Sequence, residues 1–272
     1  MASQPISKQS LLVDEPEARR RLKENWADVR SSVDEAAARA GRSPGSVQII
    51  GVTKYVDEEV TSWLVDAGCH DLGENRPQQL MLKATWMREN RPPVAVNEAA
   101  GQDAVRWHQI GHLQRNKVRR LLPEQPMIHS IDSRRLLEEV HAEALRQRLT
   151  VDGLIEINVS GEDAKTGLPP DELPDCLQAW LRERDDLMRS EPDSTVGLQL
   201  KGLMAMAGWG TDAEIARRQF ARLRELRDET AGRFGLELPV LSMGMSGDYV
   251  EAIAEGATHV RVGSKLFEGL LP

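Results

Sequence analysis

The sequence predicts a single (β/α)8 barrel, and three observations carry that reading. Eight short apolar runs recur along the chain, each closing on small or polar residues. Amphipathic helical stripes stand between them with short connections, which implies parallel pairing and right-handed crossovers. The third observation is size: 272 residues with 40% hydrophobic content can bury one core of barrel dimensions. An open doubly wound sheet is the competing arrangement, but no Gly-x-Gly-x-x-Gly follows the first strand, so a dinucleotide crevice has no support. The fold class is therefore α/β, a TIM-type barrel in one domain.

Residues 1–13 read as a frayed, disordered start and residues 14–272 as the barrel domain. After Asp14, the apolar residues Leu22, Trp26, Val29, Val33 and Ala37 form a helical stripe, and Gly41 stands where a C-terminal cap belongs. The expected strands are Val47–Lys54, His70–Asn75, Arg106–Gly111, Met127–Asp132, Gly153–Ser160, Leu198–Met206, Val240–Ser246 and His259–Gly263. Helical segments lie between them. Ser133–Arg148 carries Leu136, Leu137, Val140 and Ala144 on one face, and Thr211–Ala231 opens with the capping box Thr211-x-x-Glu214 and buries Ile215, Phe220 and Leu223. A short helix is expected over Asp248–Glu255. Only Lys265 to Pro272 follow the last strand, too little for an eighth helix, so the N-terminal helix Asp14–Ala40 is expected to fill that gap in the ring. Arg91–Val105 and Glu191–Gly197 read as surface loops from their Pro, Asn, Gly, Asp and Ser content.

Composition removes several function classes. A net charge of -8 argues against a general nucleic-acid binder, and the basic run Arg115, Lys117, Arg119, Arg120 reads as a solvated helix face. Cys69 and Cys176 stand in unrelated contexts, which fits a reducing compartment and no disulfide framework. The six histidines lack ligand spacing, so no metal site is expected. No apolar run approaches the ~20 residues that span a bilayer, and Met1–Ser10 lacks the apolar core of a signal peptide. These features predict a cytoplasmic protein.

Sites built on this barrel gather at the carboxyl ends of the strands. Lys54 closes the first strand, and an ammonium at the tip of a buried strand is costly unless something uses it. A desolvated lysine can attack a carbonyl to form an imine; the alternative is a side chain that simply reaches into water. The ends of strands seven and eight, Ser242-Met243-Gly244-Met245-Ser246-Gly247-Asp248 and Arg261-Val262-Gly263-Ser264, combine small residues and hydroxyls, as loops that approach an anion do. In this fold a phosphate commonly lies between those two loops. Arg261, two residues before Gly263, points to the barrel interior and needs a partner there: a core carboxylate, or a ring nitrogen of a bound cofactor.

Imine-capable lysine, phosphate loops and inward arginine together suggest pyridoxal 5′-phosphate, and the motifs carry a resemblance. They read Gly51-Val52-Thr53-Lys54, Leu72-Gly73-Glu74-Asn75, Trp107-His108-Gln109-Ile110-Gly111-His112-Leu113-Gln114-Arg115-Asn116-Lys117, Ile131-Asp132, Ile157-Asn158-Val159-Ser160 and Lys165-Thr166-Gly167. They continue as Lys201-Gly202-Leu203-Met204-Ala205-Met206, Leu241-Ser242-Met243-Gly244-Met245-Ser246 and Val260-Arg261-Val262-Gly263-Ser264. In this order, over about residues 47–267, the sequence resembles the pyridoxal phosphate homeostasis protein family, whose barrel is similar to the N-terminal domain of alanine racemase. The resemblance implies that Lys54 carries the cofactor as a Schiff base and Asn75 lines the pocket. It further implies that Met245 packs near the cofactor, Arg261 faces the pyridine nitrogen, and Ser246, Gly263 and Ser264 hold the phosphate. His112 and Ser160 are expected at the mouth, and Lys165 matches a second family lysine. Arg76 stands where the family has an aromatic residue, Val56 where it has proline, and Leu266-Phe267-Glu268 where Phe-Gly is usual, which touches the pocket rim more than the amine.

An arginine at the pyridine nitrogen weakens the ring as an electron sink, because the guanidinium donates to a neutral nitrogen. The related racemases also use a second base, a tyrosine from an added β domain and a partner subunit. Here the tyrosines are Tyr55, expected to point away from the mouth, and Tyr249, which opens a helix. The expectation is a monomeric carrier of pyridoxal phosphate that serves apo-enzymes requiring it and meets amino acids, with no catalytic residue assigned. The alternatives are a weak amino-acid racemase and a class I aldolase in which Lys54 attacks a sugar-phosphate carbonyl.

Overall fold

The computed structural model describes residues 5–91, 104–162, 166–191, 194–208, 210 and 212–272. Strands β1 (Gln48–Val52), β2 (Asp71–Glu74), β3 (Arg106–Gln109), β4 (Met127–Ile131), β5 (Thr150–Glu156), β6 (Gly197–Met204), β7 (Val240–Met245) and β8 (His259–Val262) pair in parallel and in chain order. The ring closes where β8 pairs with β1, in the register Ile50 with Arg261 and Gly51 with Val262. Helices α2 (Glu58–Asp66), α3 (Pro77–Asn90), α4 (Arg115–Leu121), α5 (Arg134–Gln147), α6 (Leu173–Ser190), α7 (Ala213–Phe234) and α8 (Tyr249–Ala254) follow the first seven strands. The predicted (β/α)8 barrel is the observed architecture.

Helix α1 (Glu15–Arg39) opens on Asp14, whose carboxylate accepts the Glu17 N–H, and ends before Gly41 at φ +72°. It buries Ala18, Leu22, Trp26, Val29, Val33, Ala36 and Ala37. After β8 the chain makes only one 3-10 turn, Ser264–Phe267. α1 packs between that turn, α8 and α2, and its Asn25 side chain donates to the carbonyls of Leu266 and Glu268 at 3.1 Å each. It thus takes the eighth helix position.

Several local expectations are corrected. Every strand stops before the residue expected, from one residue at Ile131 to four at Glu156, because the polar tips already turn into the βα loops. Helix α7 starts at Ala213 with Asp212 as its cap, accepting from the Ile215 N–H at 2.8 Å. A short carboxylate next to the helix start displaces the Thr211-x-x-Glu214 box; Thr211 lies outside the described residues. Ile215 is half-buried while Ala216, Phe220 and Leu223 are buried. Of the segment read as disordered, residues 5–13 are placed: Ile6 exchanges backbone hydrogen bonds with Tyr55 and Asp57 and forms a parallel bridge to Val56. Of the loop residues 91–105, only Arg91, Ala104 and Val105 are described, and Lys165 falls outside the described residues.

The barrel interior carries a polar cluster. The register places Glu156, Met204 and Ser242 side by side on β5, β6 and β7, and His108, His129 and Arg261 are buried beside them. The His108 and His129 rings meet edge to face at 5.1 Å, and His259 approaches His129 at 6.3 Å. Burial pushes His259 down to about 4, helped by His108 and Arg261 and opposed by Asp71. Unfolded histidine titrates near pH 6.5. Below that pH the unfolded chain therefore binds the proton that the folded chain refuses, and stability falls as pH drops toward 4. Relative to a His259→Asn variant, the wild-type protein should lose roughly 3 kcal/mol of unfolding free energy between pH 6.5 and 4. Urea midpoints of the two proteins across that range measure it, and parallel curves would contradict it.

Candidate functional site

A cavity of about 510 Å³ opens at the carboxyl ends of β1, β5, β6 and β7. Lys54, Glu156, Asn158, Met245, Gly247 and Asp248 are among its walls. The size and the mixture of apolar wall with few polar groups suit a small-molecule ligand.

Lys54 follows a gripped residue. The Thr53 N–H donates to the Gly73 carbonyl at 3.0 Å and its hydroxyl to Glu74 Oε1 at 2.7 Å. The Lys83 ammonium donates to the Thr53 carbonyl at 2.8 Å and forms an ion pair with Glu74; both side chains are fully buried. Burial pushes the Lys83 amine down, against the pull of Glu74. Lys54 itself is exposed, its ammonium 5.0 Å from the Tyr55 ring centre. This corrects the reading of Lys54 as a buried strand tip: β1 ends at Val52, so residues 53–55 leave the ladder. For the same reason strand alternation does not turn Tyr55 away, and its ring lies beside Lys54.

The two loops expected to hold an anion meet. The Gly263 N–H donates to Ser246 Oγ at 3.2 Å, and Ser264 begins the 3-10 turn, exposed. A side chain at Gly263 would have its Cβ 3.0 Å from the Tyr55 ring and 3.2 Å from Val52 Cβ, so any larger residue would press these side chains back by a few tenths of an ångström. Gly244, at φ +91°, turns the chain under α8, where a Cβ would strike Ala252 at 2.6 Å. The Met245 N–H donates to Asp248 at 2.6 Å, and burial pushes the Asp248 carboxyl up. Met245 lines the cavity, 39% exposed.

Arg261 is buried and donates through Nη1 to the Ser242 carbonyl at 2.9 Å and hydroxyl at 2.7 Å, and through Nη2 to the Ala205 carbonyl at 3.1 Å. It forms no ion pair among the described residues. Burial brings its guanidinium down to about 10, while Glu156 and Asp248, both in the cavity wall, pull it up. Asn75 stands apart from these residues: it borders a separate cavity of about 180 Å³ with Arg76 and His112. His112 Nδ1 pairs with Asp132 at 2.8 Å, and the Ser160 hydroxyl donates to Asn158 Oδ1 at 2.9 Å. Tyr249 is buried on the outer side, its hydroxyl paired with Ser32 at 2.8 Å and Lys265 at 3.1 Å.

Sequence reasoning missed Glu156, which accepts the Thr166 hydroxyl at 2.7 Å, and whose carboxyl burial pushes up. It also missed the Lys83–Glu74 pair. Lys83 had a signal: it lies in the buried stripe Leu80, Ala84, Met87 of α3, where an unpaired lysine would be prohibitive.

The family pattern described as alanine racemase, N-terminal domain, matches residues 20–270. The pyridoxal phosphate homeostasis protein of Aquifex aeolicus is 34% identical over 244 residues, covering 90% of this chain and 96% of that protein. The chain belongs to the pyridoxal phosphate homeostasis protein family. Among solved structures, a protein of Bifidobacterium adolescentis described as unknown has a TM-score of 0.79 at 32% identity, covering 96% of this chain and 100% of its own. PipY of Synechococcus elongatus, solved with PLP bound, has a TM-score of 0.71 at 30% identity, covering 90% of this chain and 99% of its own. Membership in this family gives the cavity beside Lys54 its reference point.

Removing one member of a buried ion pair strands the other, which costs about 3–5 kcal/mol. Lys83→Met should therefore destabilise the protein by that amount in urea unfolding. The double variant Lys83→Met, Glu74→Leu should be less destabilised than the single one; equal loss in both would show that packing, not charge, decides.

Proposed function

We propose that this protein binds pyridoxal 5′-phosphate in the mouth cavity, with the Lys54 amine as its covalent attachment point, and acts as a carrier of the cofactor. The observation that carries this reading is Lys54 itself, a primary amine in the cavity wall whose preceding residue, Thr53, is held by three polar atoms of β2 and α3: the Gly73 carbonyl, Glu74 Oε1 and Lys83 Nζ. A phosphorylated aldehyde bound there condenses with that amine with loss of water. The rest falls to the chain. The Ser246 hydroxyl, oriented by the Gly263 N–H that donates to its oxygen, and the exposed Ser264 hydroxyl offer donors to a phosphate. The apolar wall of Met245 packs against a ring. Arg261, with two N–H groups unspent of its five, offers a cation and donors from below. Burial pushes the two carboxyls of the wall, Glu156 and Asp248, up from their ordinary values. Relatives named for pyridoxal phosphate homeostasis and PipY, solved with PLP bound, support the same assignment. Asn75 contributes from the rim at most.

The reading as a carrier, without turnover, rests on the bases. Racemisation needs an acid/base group on each face of the substrate. The Tyr249 hydroxyl is spent on Ser32 and Lys265 outside the barrel, and Tyr55 lies on the Lys54 side. The proposed setting is the cytoplasm, with apo-enzymes as recipients and a monomer as the working form.

Two measurements test this. Protein incubated with pyridoxal phosphate and then borohydride should gain one pyridoxyl group, mapped to Lys54 by peptide mass, and Lys54→Ala should gain none. A group on another amine would overturn the attachment point. The loaded protein in heavy water should exchange the α-proton of alanine no faster than pyridoxal phosphate alone; exchange that depends on Lys54 would favour the racemase.

A further inference from the structure

A continuous chain of hydrogen bonds threads the barrel from its amino-terminal face to Arg261. Arg106 Nε, half-exposed, donates to Asp71 Oδ1 at 2.8 Å. His108 Nε2 lies 3.0 Å from the same oxygen, and His108 Nδ1 lies 2.9 Å from His129 Nε2. His129 Nδ1 lies 2.9 Å from the Ser242 hydroxyl, which lies 2.7 Å from Arg261 Nη1. The side chains of Asp71, His108, His129, Ser242 and Arg261 are all buried. They come from β2, β3, β4, β7 and β8, so no spacing in the sequence connects them.

With both imidazoles neutral, the two ends fix the direction of every bond. A guanidinium only donates, and a carboxylate only accepts. Ser242 Oγ, accepting from Arg261, is free to give its own proton to His129 Nδ1. His129 then carries its hydrogen on Nε2 and donates to His108 Nδ1, and His108 donates from Nε2 to Asp71. The reverse order would leave an unprotonated His108 nitrogen facing a carboxylate. Asp71 stays ionised: burial pushes its carboxyl up, but the hydrogen bonds from His108 and Arg106 outweigh this and hold it at about 2. His129 stays neutral, pushed well below its ordinary value by burial and by the neighbouring His108, His259 and Arg261.

We infer that His129 is a positioning residue for Arg261: by accepting the Ser242 hydroxyl proton, with Asp71 anchoring the far end through His108, it fixes how the guanidinium is turned beneath the cavity. Both hydrogens of Nη1 are then committed to Ser242 and one of Nη2 to Ala205, which leaves one Nη2 hydrogen and the Nε hydrogen for a ligand above. That Arg261 meets a cofactor rests on the function proposed above; that His129 turns it does not.

The test therefore begins with cofactor-free protein. Nitrogen-15 NMR should find both His108 and His129 protonated on Nε2 and bare on Nδ1; an Nδ1–H on either ring overturns the chain. Arg261 should show slow rotation of its Nη groups. His129→Leu, which offers Ser242 no acceptor, should speed that rotation about tenfold, on the order expected for losing one buried hydrogen bond. His129→Asn, whose Oδ1 can stand where Nδ1 stood, should restore slow rotation, as no merely space-filling role predicts. Ser242→Ala gives the same loss should the leucine variant not fold. Unchanged rotation in the folded leucine or alanine variant overturns the positioning role. With pyridoxal phosphate present, His129→Leu should weaken binding by about tenfold and shift the absorbance band, and His129→Asn should recover both. Absence of any binding by the wild-type protein would count against the proposed function and leave the positioning of Arg261 to the rotation measurement.

Discussion

The site depends on the closure of β8 onto β1. In an open sheet these edge strands would stand farthest apart. Paired as Ile50 with Arg261 and Gly51 with Val262, they bring the Lys54 turn against the Gly263 turn. Glycine at 263 allows the approach, since a Cβ there would press on Tyr55 and Val52. The same closure leaves the outside of β8 and β1 without a following helix. α1 covers that face, and its contacts with the carbonyls of Leu266 and Glu268 tie the N-terminal helix to the last turn of the chain. The amine and the anion loops are thus neighbours because the first and last strands are.

A barrel of this size is usually filled by branched apolar side chains. Here part of the filling is two histidines, a serine, a glutamate and an arginine, each of which loses hydration on burial. Hydrogen bonds between these side chains offset much of that loss, from Arg106 on Asp71 at one end of the chain to Arg261 on Ser242 at the other. Networks of this kind tolerate few arrangements, because an unpaired member is expensive in a low dielectric. The polar interior therefore trades some stability for one defined geometry under the mouth. The same logic applies beside it: Lys83 and Glu74 give up water to hold the backbone at Thr53.

Much of this was legible in the sequence. Strand–helix alternation and the stripe from Leu22 to Ala37 are both local patterns, and both survived. Strand ends were read too long because polar residues such as Asn158 and Ser160 continue the alternation after the ladder has stopped. That error mattered at Lys54 and Tyr55, where facing cannot be counted once the chain has left β1. Lys54, Met245, Ser246, Gly263 and Ser264 converge because motifs at strand ends share a mouth by topology alone. Asn75 shares that mouth but borders a different hollow, a distinction set by loop path and invisible to spacing. The histidines looked scattered because their contacts join residues 21 positions apart, as in His108 with His129, or 113 apart, as in His129 with Ser242.

The exposure of Lys54 bears on what such a site can do. Enzymes that manage reactive intermediates gain from excluding water, which strengthens every electrostatic contact inside. A carrier has the opposite need: its attachment bond must form and be undone by an incoming amine or by water. Here the backbone before the lysine is clamped while the side chain beyond it stands in the open, so direction is fixed and access is kept. If Arg261 meets the ring as proposed, it works the same way, since a guanidinium at a pyridine nitrogen does not supply the protonated ring that carbanion chemistry favours. On the function proposed above, an accessible amine and an arginine held by the His129–Ser242 chain suit holding and releasing an aldehyde rather than transforming what is carried.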